Sequence, residues 1–323
     1  MDVHNIVLSV MFGILALVGL VGNAFLIFSM TLSKKLRTTT NAFVFALSLS
    51  DILNSTTFVV QVVALAGVRS DVFLKVCAVA GPASTIFIGT SAVLLTLIAI
   101  CRFILITRST SLFSHVFSPR LLAGMIAIAY LFPTIGVTLS VVLGLASAGL
   151  NEDTICTFYD SSIFNNVCAG IIMVCLAIVC FCYLKIYIFL RRHFKQLRDI
   201  TGTPGTGGAD NVASNSPTPN RIVDRKRNLE VESKINKNMV IVVCAFVACM
   251  LPMSICLFFS DDPILGAYCF AVMSASSCCN PALFGWKHPV FHHVFRCILK
   301  GELRNIEEPA TWLRKFCHRS EFS

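Results

Sequence analysis

Two ionisable side chains stand inside long apolar stretches of this chain: Asp51 in "ALSLSDIL" and Arg102 in "LLTLIAICRFILITR". Arg102 has no carboxylate within twenty positions on either side. A charge in hydrocarbon is expensive, so each is a functional residue by default. Asp51 must be neutral, paired or bound to a cation. A guanidinium calls for a carboxylate, which it can hold bidentately. Enzyme chemistry finds no support beside them. There is no Ser/His/Asp constellation, no phosphate-binding glycine loop, and no metal-ligand spacing among the 15 cysteines. Cysteines within apolar runs read as small hydrophobes. His115, His288, His292 and His293 fall on one surface and read as interfacial.

The elements that must position Asp51 and Arg102 follow from composition. Of 323 residues 56% are hydrophobic and 13% charged, with a mean hydropathy of +0.78. Soluble domains carry about 25% charged residues. Seven apolar runs lie near 6–30, 41–67, 75–106, 121–145, 163–190, 239–259 and 264–286. A bilayer core needs about 20 helical residues, and lipid offers backbone groups no partner outside a helix. The runs do not alternate, which excludes a β-barrel. The expectation is an all-α membrane protein, a seven-transmembrane helix bundle over 1–286.

Charge orients the bundle. Segments 31–40, 107–120, 191–238 and 287–323 hold 22 of the 26 Lys and Arg. By the positive-inside rule they are cytoplasmic. Seven spans then place the N-terminus outside and the C-terminus inside a multi-pass protein of the plasma membrane. Asp2, Asp71, Glu152, Asp153, Asp160, Asp261 and Asp262 make the outer side acidic. The net charge of +9 is thus a topology signal and not a nucleic-acid footprint. Residues 1–30 lack a positive n-region and read as a retained first helix. Cys77 and Cys156 both fall on the oxidising side, so a disulfide between them is expected, with Cys168 and Cys269 as competitors. Asn54-Ser55-Thr56 matches a glycosylation signal but lies inside span two, out of reach. Residues 201–220, within inner loop 191–238, read as a flexible Gly/Ser/Thr/Pro linker. In 287–323, "HPVFHHVFRCILK" places Phe291, Val294, Phe295, Ile298 and Leu299 on one helical face. It is too short to cross and is expected on the inner leaflet as an eighth helix, with Cys297 a candidate for palmitoylation.

The internal residues narrow the choice among seven-span proteins. They are Asn23 in "GLVGNAFLI", Asp51, Cys77 with Arg102 twenty-five residues on, Pro252 in "ACMLP", and Asn280 and Pro281 in "CCNPALF". In that order they resemble the rhodopsin-like family of G-protein-coupled receptors over nearly the whole chain. The resemblance implies an allosteric sodium ion at Asp51 with Ser91, Ser277, Asn280 and Asn23 about it, and no other cofactor. Oxygen ligands suit such a hard cation; a protonated Asp51 bonded to Asn23 and Asn280 is the competing reading. It further implies an activation switch of Arg102, Tyr183, Phe246, Met250, Pro252, Pro281 and Phe284, with Glu232 pairing Arg102 across spans three and six. The implied partners are an extracellular ligand, a heterotrimeric G protein, arrestin and membrane lipids.

The chain departs from the family pattern at several switch positions. Cys101 replaces the acid before the arginine and Phe103 the tyrosine after it. Met250 replaces an aromatic, Cys175 the span-five proline, and Phe284 the last tyrosine of span seven. Tyr130 stands near the missing span-four tryptophan. Either basal signalling is raised, or the chain is an atypical or accessory receptor. Ser84 stands where amine receptors carry an aspartate and Ser274 where opsins carry a lysine. As a candidate ligand pocket, these positions favour a neutral or lipid-like ligand or a small peptide. A transporter or channel would want several buried ionisable groups or paired broken helices, and a single mid-membrane aspartate argues against it.

Overall fold

The computed structural model describes residues 2–151, 154–159, 162–201, 241, 243–260, 262–287 and 289–314, with backbone alone at 159, 194, 196–201, 283–287 and 289. Five helices are long and apolar enough to cross a bilayer by themselves: α1 (Val3–Leu32), α2 (Thr39–Leu65), α3 (Asp71–Thr107), α5 (Pro119–Val142) and α6 (Ser162–Thr201, apolar to His193). A short α4 (Thr110–Val116) joins α3 to α5. The sixth span is described as α7 (Val243–Phe259). The seventh is divided into α8 (Pro263–Ser274) and α9 (Ser276–Lys287), with a turn at Ala275. An eighth helix, α10 (Pro289–Leu299), follows. The seven-helix bundle expected from the apolar runs is therefore present, and the protein is a multi-pass membrane protein. Of the expected linker 201–220, Thr201 ends α6; residues 202–220, Glu152, Asp153, Asp160, Asp261, His288 and Glu232 lie outside the described residues.

Local chemistry starts the helices. Thr38, Ser70 and Ser109 accept hydrogen bonds from the amides of Asn41, Phe73 and Leu112, each at 3.3 Å. Asp262 Oδ1 accepts from Ile264 and Leu265, and Pro263 fills the first helical position. Both devices satisfy or remove amides that have no partner within the first turn. The core lies between α1, α2, α3, α6 and α8, with Phe12, Phe43, Phe58, Leu26 and Leu94 fully buried. Helices in lipid associate by close packing and hydrogen bonds. Gly22 illustrates the first: a Cβ there would stand 2.7 Å from the Pro281 ring.

Three features were not foreseen. The link between α5 and α6 is an antiparallel hairpin, β1 (Ser147–Asn151) with β2 (Ile155–Tyr159), Leu150 opposite Cys156. It is held to the bundle by a disulfide between Cys77 and Cys156; Cys168 and Cys269 are free. Gln61 adds a two-way amide pairing with Cys156, donating to its carbonyl and accepting from its N–H, each at 2.8 Å. At Gly81 the backbone of Thr157 comes so close that a Cβ would meet it at 3.0 Å.

The second is the side of α10 that packs on the protein. Phe291, Val294 and Cys297 are buried against the protein, whereas Leu299, from the same expected apolar face, is 79% exposed. The apolar face therefore runs Phe291–Val294–Cys297 and turns the thiol towards His293, 3.8 Å away. Acylation of Cys297 would require it to leave this contact.

The third is the segment after α10, which folds back onto the 3₁₀ turn Lys34–Leu36. Lys34 donates to Glu308 O and Ala310 to Leu32 O, each at 2.8 Å, and Ser33 bridges Pro309. Ile306, Ala310 and Leu313 are buried beneath it. The Lys35–Glu307 pair decorates this clip. Its hydrogen bond pushes the Lys35 ammonium up and the Glu307 carboxyl down from their ordinary values. The pair's contribution is present at neutral pH and fades as acidity reprotonates Glu307 or alkali deprotonates Lys35. Both ends are in water, so that contribution is small. Backbone bonds and apolar burial hold the clip. Ile306→Asp combined with Leu313→Asp should sharply raise hydrogen exchange at the amides of Lys34 and Ala310. Lys35→Ala should leave both nearly unchanged.

Candidate functional site

Asp51 is fully buried at mid-length in α2, and its two oxygens are taken from two directions. Ser91 of α3 donates to Oδ1 at 2.9 Å, and Asn280 of α9 donates through Nδ2 to Oδ2 at 2.7 Å. Ser277, one turn before Asn280, turns its Oγ to Asn54, from which it accepts at 3.3 Å. A buried carboxyl group is tolerable only when its oxygens are bonded. Helical spacing brings Ser277 and Asn280, three apart, to one face.

Asn23 serves a different purpose. Proline at 281 cannot donate to the carbonyl four residues back, that of Ser277. Asn23 Nδ2 donates to that Ser277 oxygen at 2.9 Å and to Gly19 O at 2.9 Å. The side chain of α1 thus repairs the ladder that Pro281 opens. Asn23 is accordingly bonded to the backbone beside Asp51 and not to Asp51 itself. Its Oδ1 is buried with no hydrogen-bond partner among the described residues.

A second polar chain runs one turn along α2. Asn54 donates to Ser277 Oγ at 3.3 Å and accepts from Ser84 Oγ at 2.9 Å. The residue that matched a glycosylation signal is thus the tie between α2, α3 and α9. Ser84, expected in a ligand pocket, is spent on it. Ser274 is fully buried and its hydroxyl has no partner among the described residues. The signal that could have identified Asn54 is its position: an amide three residues after Asp51 on a buried helix face needs partners.

At the far end from the hairpin, Arg102 is half-buried, and its Nε has no hydrogen-bond partner among the described residues. Tyr183 of α6 is buried and near enough to feel its charge. Cys101 turns instead to Thr40 of α2, Sγ to Oγ1 3.6 Å. The expected partner, Glu232, lies outside the described residues. Phe246 and Met250 are buried in the core on α7, and Pro252 lies half-buried beyond them. Ser254 back-bonds to Met250 O at 3.0 Å across that proline. Pro281 is buried; Phe284 lies in α9, its side chain outside the described set. Tyr130 ties α5 to α2, donating to Ala46 O at 2.7 Å.

Towards the hairpin a cavity of about 260 Å³ opens between α3, α5, α6, α7 and α8. Its inner wall is apolar, including Ile88, Ala92, Met253, Phe270 and Met273. Thr157 and Phe158 of β2 also line it. Ser84 and Ser274 are not among the lining residues.

Comparison with known proteins bears on all of this. Residues 22–284 match the family described as 7 transmembrane receptor (rhodopsin family). Among solved structures, the crystal structure of squid rhodopsin matches with a TM-score of 0.75 at 18% identity, covering 95% of this chain and 91% of that one. At that identity the likeness concerns the fold. Curated protein sequences yield no match.

The two polar chains make a graded prediction. Asn23→Leu and Asn54→Leu each strand a buried group, at a cost of about 1–3 kcal/mol, and should lower the melting temperature of the detergent-solubilised protein by several degrees. Ser274→Ala removes a hydroxyl that bonds nothing described and should leave the melting temperature unchanged or raise it.

Proposed function

This chain belongs to the rhodopsin family of seven-transmembrane receptors, and from that premise we propose that it transmits the binding of an extracellular ligand to a cytoplasmic heterotrimeric G protein. The transmitting motion is an outward swing of the inner half of α7 about Pro252. The charge distribution supports the orientation, with the N-terminus outside, the basic loops and α10 inside, and the plasma membrane as location. The same basic surface would meet anionic lipid.

The observation that carries the reading is the carboxylate of Asp51 held between α3 and α9. It is a polar centre whose partners can be exchanged, placed where three helices meet. Its oxygens with those of Ser91 and Ser277 form a donor set suited to a hard monovalent cation. The unpartnered Asn23 Oδ1 leaves a spare acceptor in the same cluster. A sodium ion bound by Asp51, Ser91 and Ser277 would favour the packed, resting arrangement. Sodium chloride should then raise the melting temperature of the wild type above the effect of an equal concentration of choline chloride. Asp51→Asn should abolish the difference.

On the cytoplasmic side Arg102 pairs with Glu232 at rest and is freed towards Tyr183 when α7 swings. The groove so opened would accept a G-protein helix, and arrestin would compete for it. A second reading, an atypical or accessory receptor that couples weakly, draws on Cys101. The thiol in the acid's place is engaged with Thr40 and offers Arg102 no carboxylate. The deciding experiment is ligand-free G-protein activation at matched surface expression. Glu232→Gln should raise it and Arg102→Ala should abolish that rise. Silence from every form would overturn the coupled reading in favour of the atypical one, and arrestin recruitment would then be measured.

A further inference from the structure

We propose that the cavity beneath the hairpin is reached sideways from the bilayer, through the gap between α5 and α6, by a small uncharged apolar molecule. The proposal rests on reading the cavity as a membrane receptor's ligand site; the route is a separate claim and is tested separately.

The lining divides into a closed wall and an open rim. Ile88 and Ala92 on α3 are 4% and 2% exposed, whereas Phe132 on α5 and Val167 on α6 are 51% and 55% exposed. Ile171 on α6 and Gly136 on α5 are exposed as well. One cavity thus touches both the bundle interior and its outer surface. The rim lies at membrane depth. At 1.5 Å per residue, Gly136 and Val167 stand roughly 8–9 Å, and Phe132 and Ile171 roughly 14–15 Å, from the hairpin ends of their helices. The two sides of the gap therefore match in height and face hydrocarbon, not water.

The gap has a cause. α5 and α6 each pack on α3 far more than on each other. Gly136 presents no side chain, and a Cβ built there meets nothing within 4 Å. Towards the hairpin, by contrast, the cavity is roofed. Phe158 is buried and packs edge-on against Phe164, ring centroids 4.7 Å apart. Its strand is pinned by the disulfide and by Gln61.

The lining fixes the occupant's chemistry. Among the described residues it contains no Asp, Glu, Lys, Arg or His. The hydroxyls of Thr85 and Ser140 already donate to their own helices, at Gly81 O and Gly136 O. Thr157 and Asn165 give the lining a polar edge. A charged ligand would be desolvated with no counter-charge among the described lining residues; a neutral, mainly apolar one avoids that cost and concentrates in the bilayer beforehand. At about 260 Å³ the space lies just below the roughly 300–1,000 Å³ of drug-sized sites, so the molecule is small.

The test uses the full chain in phosphatidylcholine nanodiscs with 3-trifluoromethyl-3-phenyldiazirine, an apolar carbene precursor that resides in the bilayer. After photolysis, adducts are located by peptide mass spectrometry. Wild type should be labelled at Ile88 and Met253 as well as at lipid-facing Val174 and Phe181. Gly136→Trp should lose the inner adducts and keep the outer ones, which also report that the fold stands. Phe132→Ala should increase labelling at Ile88. Inner labelling that ignores both substitutions, or wild-type adducts confined to Val174 and Phe181, overturns the route. Ligand-free G-protein activation uses no probe, so its survival beside a failed labelling result leaves the receptor reading standing.

Discussion

A carboxyl group with no access to water is the constraint around which the bundle is arranged. Asp51 needs donors on both oxygens, and no residue within reach along its own helix supplies them. Ser91 and Asn280 must come from α3 and α9, so three helices are fixed in register by one side chain. The neighbouring chain from Ser84 through Asn54 to Ser277 repeats the same logic one turn away. In hydrocarbon, apolar contact does not discriminate among helix faces, because lipid is as apolar as leucine. Polar groups that must find partners do discriminate, and these sit where α2, α3 and α9 meet.

Proline sets the second requirement. Pro281 breaks its own ladder and leaves the Ser277 carbonyl open, and α1 answers with Asn23. The answer works only because Gly22 lets α1 approach the Pro281 ring. Two adjacent residues, one without a side chain and one with an amide, thus join the first helix to the last. Asn23 acts as a backbone partner, and its effect on Asp51 runs through Ser277.

How much of this could be read from the sequence depends on what each residue needed. Asp51 and Asn280 were legible because polar groups in apolar runs have few explanations. Topology placed Cys77 and Cys156 on one side and made their disulfide the expected one, with Cys168 and Cys269 left as competitors that the structure shows free. Asn54 was legible only as a failed glycosylation signal, because its partners are 30 and 223 residues away. Gln61 escaped notice for the same reason: a side chain that caps a loop 95 residues later leaves no periodic trace. On α10 the apolar period is that of a helix, but it does not say which apolar residues pack on protein. Cys297 counts as a small hydrophobe when buried, and the apolar pattern alone does not rank it against Leu299. The fold-back of 303–314 onto Leu36 has no periodic pattern to announce it, because backbone bonds and a few scattered apolar residues hold it.

The placement of the turn at Ala275 connects these parts. Before it, Phe270 and Met273 of α8 line the cavity. After it, Ser277 and Asn280 of α9 hold the Asp51 cluster. The same adjacency occurs on α3, where Ala92 faces the cavity and Ser91 bonds Asp51. A molecule entering the cavity therefore presses on two helices within one turn of the bonds that fix their register. Ser274, at the joint, has a buried hydroxyl with no partner among the described residues. A ligand shifts an equilibrium only by its differential affinity for the two states. Here the difference would arise from how α8 sits against the cavity wall, and it would be felt first as a change in the donors around Asp51. By reciprocity, whatever stabilises those donors, a bound cation included, must alter the affinity of the cavity by the same factor.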